Sequence, residues 1–457
     1  MLPIAVLHVT SAEGGGADRY IRDLAATTAA RHWIWHAGAN VIEDVAAARY
    51  YRAHDDASLA RWVIDAGIGL VHLHGVTHDS ATVLARVLAA RDVAYIVTLH
   101  DVAFVAPGAF DGKLAVDVGE IARVAPLLAN AARVIVPSRF IASLVQRYFG
   151  GIAVDVIAPG IGPRANQLIA DAVSAPADFA ARAHPRRVAV VGAIGPHKGS
   201  TELPAIARAL AAQQTTLVVI GYTDTRIEPG WIAPGELYVH GPYEDGTLPA
   251  WLDAYRVSIV LFPNRLPESF SYTLSEAWAS RRPVIVPDAG ALGERVAYCG
   301  GGWCLPAGFG ADDVADLLAH LRTDDGAREW TRVESAIDID DPACVPPLAT
   351  MTQAFDQLYA RFALPMEAAD GATALAPLIA ANLDGRVFRR ELVRLSDELS
   401  QSPAWRDKLE RDIAELKDAI EHLGEDNRKL ADIRDAFELM PAAVRKYLLK
   451  QVFRGRR

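Results

Sequence analysis

Short runs of aliphatic and β-branched residues alternate along the chain with longer Ala-rich stretches whose apolar positions recur at helical spacing. Apolar runs of about four to eight residues with no polar face are what strands covered on both sides look like, and the intervening helices supply the cover. The pattern predicts strands over 4–10, 33–38, 69–75, 94–100, 133–138 and 154–160, with helices such as Ala17–Ala30 and Asp79–Ala90 between them. Through 163–185 it lapses into polar and Ala-rich sequence ending in His184-Pro185. A second series then predicts strands over 187–194, 216–222, 237–241, 257–263 and 282–287. The expected fold is α/β: two Rossmann-like doubly wound domains in tandem, over 1–180 and 181–345, with a cleft between them.

Beyond Val345-Pro346-Pro347 the pattern predicts a closing helix over 346–364 and a linker over 365–385. From 386 to 436 the sequence turns charged and helical. Leu409, Ile413, Leu416, Ile420 and Leu423 are spaced as the seam of a coiled coil, and the next seam position, Asn427, is polar in the way that fixes register. A homo-oligomer formed through 386–436 is the expectation.

Charge adds a second feature to the C-terminal end. The 46 basic and 56 acidic residues give 46 − 56 = −10, a balance unsuited to coating nucleic acid. Yet 437–457 holds Arg445, Lys446, Lys450, Arg454, Arg456 and Arg457 against Glu438 alone, which is +5 and leaves −15 on residues 1–436. Phe437, Met440, Val444, Leu448 and Val452 recur at helical spacing among these cations, a composition able to lie on an anionic membrane surface. No run approaches the roughly 20 apolar residues that cross a bilayer. Cys299, Cys304 and Cys344 are odd in number and lack the spacings of a zinc site or a disulfide framework. The expected location is cytoplasmic, peripheral on the inner face of the cytoplasmic membrane where the tail holds it.

In open α/β sheets ligands bind beyond the C-terminal strand ends, and four such loops carry candidate chemistry. The first strand leads into Glu13-Gly14-Gly15-Gly16 at a helix start, where backbone amides can meet a phosphate; a structural turn is the alternative. It is not G-x-G-x-x-G and no acid ends the second strand, so no nicotinamide cofactor is expected. The second domain's first strand leads into VGAIGPHKGS, which suits an anion through Lys198 but lacks P-loop spacing. The third loop holds Glu268 and Glu276 around a helix start that Ser269 or Ser271 can cap, with the amides of Phe270, Ser271, Tyr272, Thr273 and Leu274 turned to the cleft. Carboxylates beside an anion site are at odds with it unless they accept from hydroxyls, and sugars supply hydroxyls. The fourth is His100-Asp101, where a neutral imidazole at a strand end can exchange hydrogen bonds with a substrate hydroxyl. His72, His74 and His78 have no acid or cysteine to complete a zinc set, and Asp338-Ile339-Asp340 reads as a loop, so no metal is expected.

These residues taken together resemble the retaining GT-B fold glycosyltransferases of family four (glycosyl transferases group 1) over roughly residues 3–362. The specific element is E-x7-E, present as Glu268 and Glu276 within PESFSYTLSEAWASRRPVIVPDAGALGE; the strand-then-KG loop and the strand-end His-Asp agree in order. The resemblance implies a nucleotide-diphosphate sugar as co-substrate, with no other cofactor and no metal. It gives Glu268, His100 and Lys198 the chemistry, with Glu268 on hydroxyls of the donor sugar, Glu276 on the ribose, and His100 near the reacting carbon. Lys198 and the amides of Ser271 to Leu274 would hold the diphosphate while Gly15 and Gly16 close on it. The family usually carries arginine after the glycine of the first second-domain strand; Ala193 stands there, and His197 or Arg265 are candidates to replace that cation. Resemblance and tail together imply a saccharide acceptor, lipid-linked, in bacterial lipopolysaccharide, O-antigen or exopolysaccharide assembly. An inactive transferase-like scaffold working through its coiled coil is the alternative.

Overall fold

Two sheets, each built on parallel strands, organise the chain in the computed structural model, which describes residues 4–10, 15–37, 41–53, 55–76, 93–109, 114–162, 173–244, 246–364, 375 and 378–381. The predicted helix Asp79–Ala90, Glu13, Gly14, His78, the coiled coil and the basic tail lie outside these residues. The first sheet takes β1 (Ala5–Thr10), β2 (Arg31–His36), β3 (Val41–Asp44), β4 (Arg49–Ala53), β5 (Ile68–His74), β6 (Ala94–Thr98), β7 (Arg133–Val136) and β8 (Val154–Val156). The second takes β9 (Arg186–Ile194), β10 (Thr215–Thr223), β11 (Gly230–Ala233), β12 (Leu237–Val239), β13 (Ile259–Leu261), β14 (Val284–Pro287) and β15 (Gly302–Leu305). A final strand, β16 (Leu378–Ala381), returns to the first sheet. The orders are β16-β4-β3-β2-β1-β5-β6-β7-β8 and β11-β12-β10-β9-β13-β14-β15. Among the described strands the antiparallel pairs are β2–β3, β3–β4, β4–β16 and β11–β12, towards one margin of each sheet.

Every residue of β1 and of β5 is buried, as strands covered on both faces require. Alternation sorts them: Leu7, Trp33, Val71, Val97 and Val136 face one layer, and Val6, Leu70, Ile96 and Ile135 face the other. That second layer is closed by the helix Gly15–Thr27 and by Leu348–Phe362, whose Met351, Phe355, Leu358 and Tyr359 sit in the same cluster. The closing helix thus leaves the second domain and seals the first, tied by Leu348 N–H to Ile161 O (2.9 Å) and Leu364 N–H to Gly69 O (2.9 Å). Among the described residues no helix is long and apolar enough to cross a membrane.

Two expectations are corrected. The linker at 365–385 carries β16, which pairs antiparallel with β4, Leu378 against Ala53 through Ala381 against Tyr50, and covers what would otherwise be an unpaired sheet edge. Cys299 and Cys344 are joined in a disulfide, and Cys304 is exposed and unpaired. The pairing partners stand 45 residues apart and meet only because the helix Gly290–Cys299 ends against the segment leaving the second sheet, so spacing carried no sign of it.

Candidate functional site

The residues with candidate chemistry gather where the helix Tyr272–Ala279 begins. Ser271 sits there at φ +78°, a left-handed conformation that costs a serine free energy, and its hydroxyl caps the helix by accepting from Leu274 N–H (3.3 Å). Arg295 holds this turn in place. Buried on the helix Gly290–Cys299, its guanidinium donates to the carbonyls of Phe270 (3.1 Å), Ser271 (3.0 Å) and Cys344 (2.9 Å) and to Ser275 Oγ (2.7 Å). The result is a helix N-terminus whose amides are rigidly presented, which is the electrostatic requirement for an anion site.

Glu268 precedes the turn, half-buried, with Oε1 accepting from Asn264 Nδ2 (2.8 Å) and its carbonyl accepting from Ala291 N–H (2.8 Å). Asn264 is itself buried. The lysine loop docks on the same segment: the carbonyl of His197 accepts from Arg265 N–H (2.9 Å) and Leu266 N–H (3.2 Å). Gly199 permits that approach, because it takes φ +83° and a side chain there would meet Pro263 O at 2.2 Å. Lys198 closes a short 3-10 turn, Pro196–Lys198, directly before it.

The first domain meets this helix start from the other side. Gly16 lies against the Tyr272 ring, and Arg19, one turn into the helix Gly15–Thr27, reaches across to Glu276 (2.7 Å) with its guanidinium 4.3 Å from the Tyr272 centroid. The Ser269 hydroxyl donates to the carbonyl of His100, which follows β6. His100 is half-buried, its pKa is lowered to about 4 by burial, and its Nε2 lies 2.9 Å from His74 Nδ1. The neighbouring Asp101 carboxyl, pushed up by burial, accepts from Ala103 N–H (2.8 Å). The site thus brings together two glutamate side chains, an imidazole kept neutral by burial, a lysine, an arginine and a row of amides, an arrangement suited to an anion flanked by hydroxyls.

Gly15, Gly16, His100, Lys198, Glu268, Phe270 to Leu274 and Glu276 are brought to this junction or its immediate supports. The proposed substitutes for the cation missing at Ala193 lie in the same two loops, each with engagements of its own. Arg265 is paired with Glu202 (2.9 Å) and with the carbonyl of Phe309 (3.1 Å), and His197 is neutral, its pKa lowered to about 4 by burial and then by Lys198. Asp338 and Asp340 are exposed in a loop, as read from the sequence. His72 and His74 are buried together with His8; one ring nitrogen from each lies within 4.8 Å of the others. Four contributors were missed: Arg19, Asn264, Arg295 and His8. Arg19 follows the glycines by three residues and Asn264 precedes Glu268 by four, signals visible once the helix starts were placed; nothing local marks Arg295 or His8.

Family models cover both sheets: a "Glycosyl transferase 4-like domain" matches residues 5–160 and "Glycosyl transferases group 1" matches residues 185–324. No curated protein sequence matches the chain. Among solved structures the fold is similar to HepE of Anabaena in complex with UDP and glucose, at TM-score 0.55 and 17% identity over 78% of this chain and 100% of that one. It is similar also to sucrose-phosphate synthase of Thermosynechococcus elongatus (TM-score 0.58, 17%, 78% of this chain and 98% of that one). A glycosyltransferase of Rickettsia africae gives TM-score 0.54 at 12% identity over 79% of this chain and 98% of that one.

Proposed function

The chain belongs to the glycosyl transferases group 1 and folds as a GT-B glycosyltransferase, and from that premise we propose that it moves a sugar from a nucleotide-diphosphate donor to a saccharide with retention of configuration and without a metal. The observation that carries this reading is the junction of a braced helix start bearing Glu268 and Glu276, on the second domain, with the first domain, which brings Gly15, Gly16, Arg19 and His100 to it.

In this reading the donor diphosphate lies on the amides of Ser271 to Leu274 beside Lys198, which stabilise charge as it develops on the leaving group. Glu268, oriented by Asn264, accepts from hydroxyls of the transferred sugar. Glu276 exchanges its ion pair with Arg19 for the ribose hydroxyls, and Arg19 turns to the diphosphate as the second cation. The acceptor hydroxyl attacks from the face that the leaving group vacates. A uridine donor is the first candidate, because the Anabaena neighbour is a complex with UDP and glucose. The acceptor proposed is a lipid-linked saccharide of bacterial surface polysaccharide assembly, met at the inner face of the cytoplasmic membrane by the tail 437–457, with 386–436 joining the copies.

One experiment tests donor and acceptor together. A thermal-shift panel of uridine, guanosine, thymidine and adenosine diphosphate sugars should stabilise the protein with one base class only. Transfer with that donor should then favour a lipid-linked over a free saccharide and be lost in Lys198→Ala and Glu268→Ala proteins that retain the native melting temperature. No shift with any donor supports the scaffold reading instead, and normal turnover in Glu268→Ala overturns the site.

A further inference from the structure

A file of imidazoles runs through the first domain to the site. Thr28 Oγ1 lies 2.7 Å from His32 Nε2, His32 Nδ1 lies 2.8 Å from His8 Nε2, His8 Nδ1 lies 2.8 Å from His74 Nε2, and His74 Nδ1 lies 2.9 Å from His100 Nε2. The three inner rings are buried, while Thr28 and His100 at the two ends are half-buried. Strand pairing makes the file. His8 on β1 stands level with His72 on β5, Thr10 with His74, and Val6 with His32 on β2, so all these imidazoles project from one sheet face.

Buried imidazoles without an acid partner stay neutral, and the pKa of each of the four is driven down first by burial. A neutral imidazole has one donor and one acceptor nitrogen, so a chain of them must point one way throughout. The direction is set at Thr28, whose hydroxyl proton is given to Leu24 O (2.8 Å). His32 Nε2 must therefore donate to Thr28, His8 Nε2 to His32, His74 Nε2 to His8, and His100 Nε2 to His74. His100 Nδ1, which meets no partner among the described residues, is then left without a proton beside the contact of its backbone with Ser269.

We propose that His32, His8 and His74 are positioning residues that lock His100 in its Nε2–H form, so that its Nδ1 meets the substrate only as a hydrogen-bond acceptor and selects a sugar offering a hydroxyl over one bearing a carboxylate or an O-alkyl group at that position. The selectivity rests on the transferase reading; the tautomers do not. His72 is held apart from the file by Thr98 Oγ1 (2.7 Å) and the Tyr359 hydroxyl (3.1 Å), so the three-histidine group at His8, His72 and His74 spends its nitrogens on hydrogen bonds.

The test is 15N NMR of the full chain labelled at histidine side chains, with His8, His32, His74 and His100 assigned by single His→Gln variants. All four should carry the proton on Nε2 at neutral pH. Nδ1–H at any of them, or metal-type shifts that a chelator abolishes, overturns the proposal. Thr28→Val, far from the site, should scramble the tautomer at His32 and His100 and lower kcat about tenfold with KM for the donor nearly unchanged, and Thr28→Ser should restore both. Scrambled tautomers with normal sugar selectivity in Thr28→Val would remove the selectivity role while leaving the transferase reading standing, and intact Nε2–H signals there would overturn Thr28 as the residue that sets the direction. Signals as expected in a protein that transfers no sugar would sink that reading and keep the relay.

Discussion

Arg19 is the residue that most alters the picture of the site. A guanidinium with one edge on Glu276 and its face over Tyr272 is already at the junction where a diphosphate would lie, on the domain opposite Lys198. Ala193 stands where the family usually places an arginine; His197 is kept neutral by burial, and Arg265 is paired with Glu202 within its own domain. If Arg19 has taken over that charge, Arg19→Ala should lower kcat/KM for the donor by about 10- to 100-fold, the loss of one charge-assisted contact to the leaving group. Arg19→Lys should recover only part, because a point charge replaces a bidentate fork. The decisive protein is Arg19→Ala combined with Ala193→Arg: steady-state kinetics should show much of the lost kcat/KM returned. A double variant no better than Arg19→Ala would place the second cation elsewhere.

At the scale of elements, what the sequence makes legible is what local forces dictate. The parallel strands announce themselves because burial on both faces demands unbroken apolar runs, as in AVLHVT and IGLVHLH. The E-x7-E helix start was legible because capping and charge are local too. The marginal strands VIED, RYYRA, GWIA and LIAA were not: each is only four or five residues long, VIED and RYYRA carry charged side chains, and LIAA finds its partner, RYYRA, in a distant segment. Arg295 and the Cys299–Cys344 bridge fall in the same class: both are fixed by where the helix Gly290–Cys299 docks, and together they tie the turn at Ser271 to the chain leaving the second sheet. A bridge over 45 residues contributes about 4 kcal/mol in the chain-entropy account. Cys299→Ser should accordingly melt several degrees lower than the parent in oxidising buffer, and the two should coincide after reduction. Equal melting temperatures in both buffers would mean that the bridge does not form in solution.

For the whole molecule, the buried histidines join the halves as well as serving one of them, because the closing helix lies on them: Phe355 stacks 5.4 Å from His72, the Tyr359 hydroxyl reaches the same ring, and the Tyr359 ring lies 6.1 Å from His32 of the file. Protonation therefore acts on the layer through which the second domain's last helix seals the first. His32 and His100 have folded pKa values near 4, against an ordinary value of 6.5, with burial the main cause; Asp356 opposes it at His32 without overcoming it. A base whose folded pKa lies below its unfolded one binds more protons when unfolded, so stability falls as pH drops below 6.5 and goes on falling until about pH 4. Linkage puts the loss near 2 kcal/mol for each of these two residues at about pH 5, and His8, His72 and His74 act in the same direction. Glu43, held near 2 by His36 and by Arg22 (2.5 and 2.7 Å) despite its burial, adds its own loss only in the next window, between 4.5 and about 2. Calorimetry from pH 7.5 to 5 should therefore show a melting temperature that declines steadily, well before the carboxylates titrate. Donor binding by the folded protein should hold over the same interval, because the native rings stay uncharged until about pH 4 and the loss falls on the folding equilibrium alone. A melting temperature that stays level down to pH 5 would mean that the rings are already charged or already open to water, and the single-direction file could not exist.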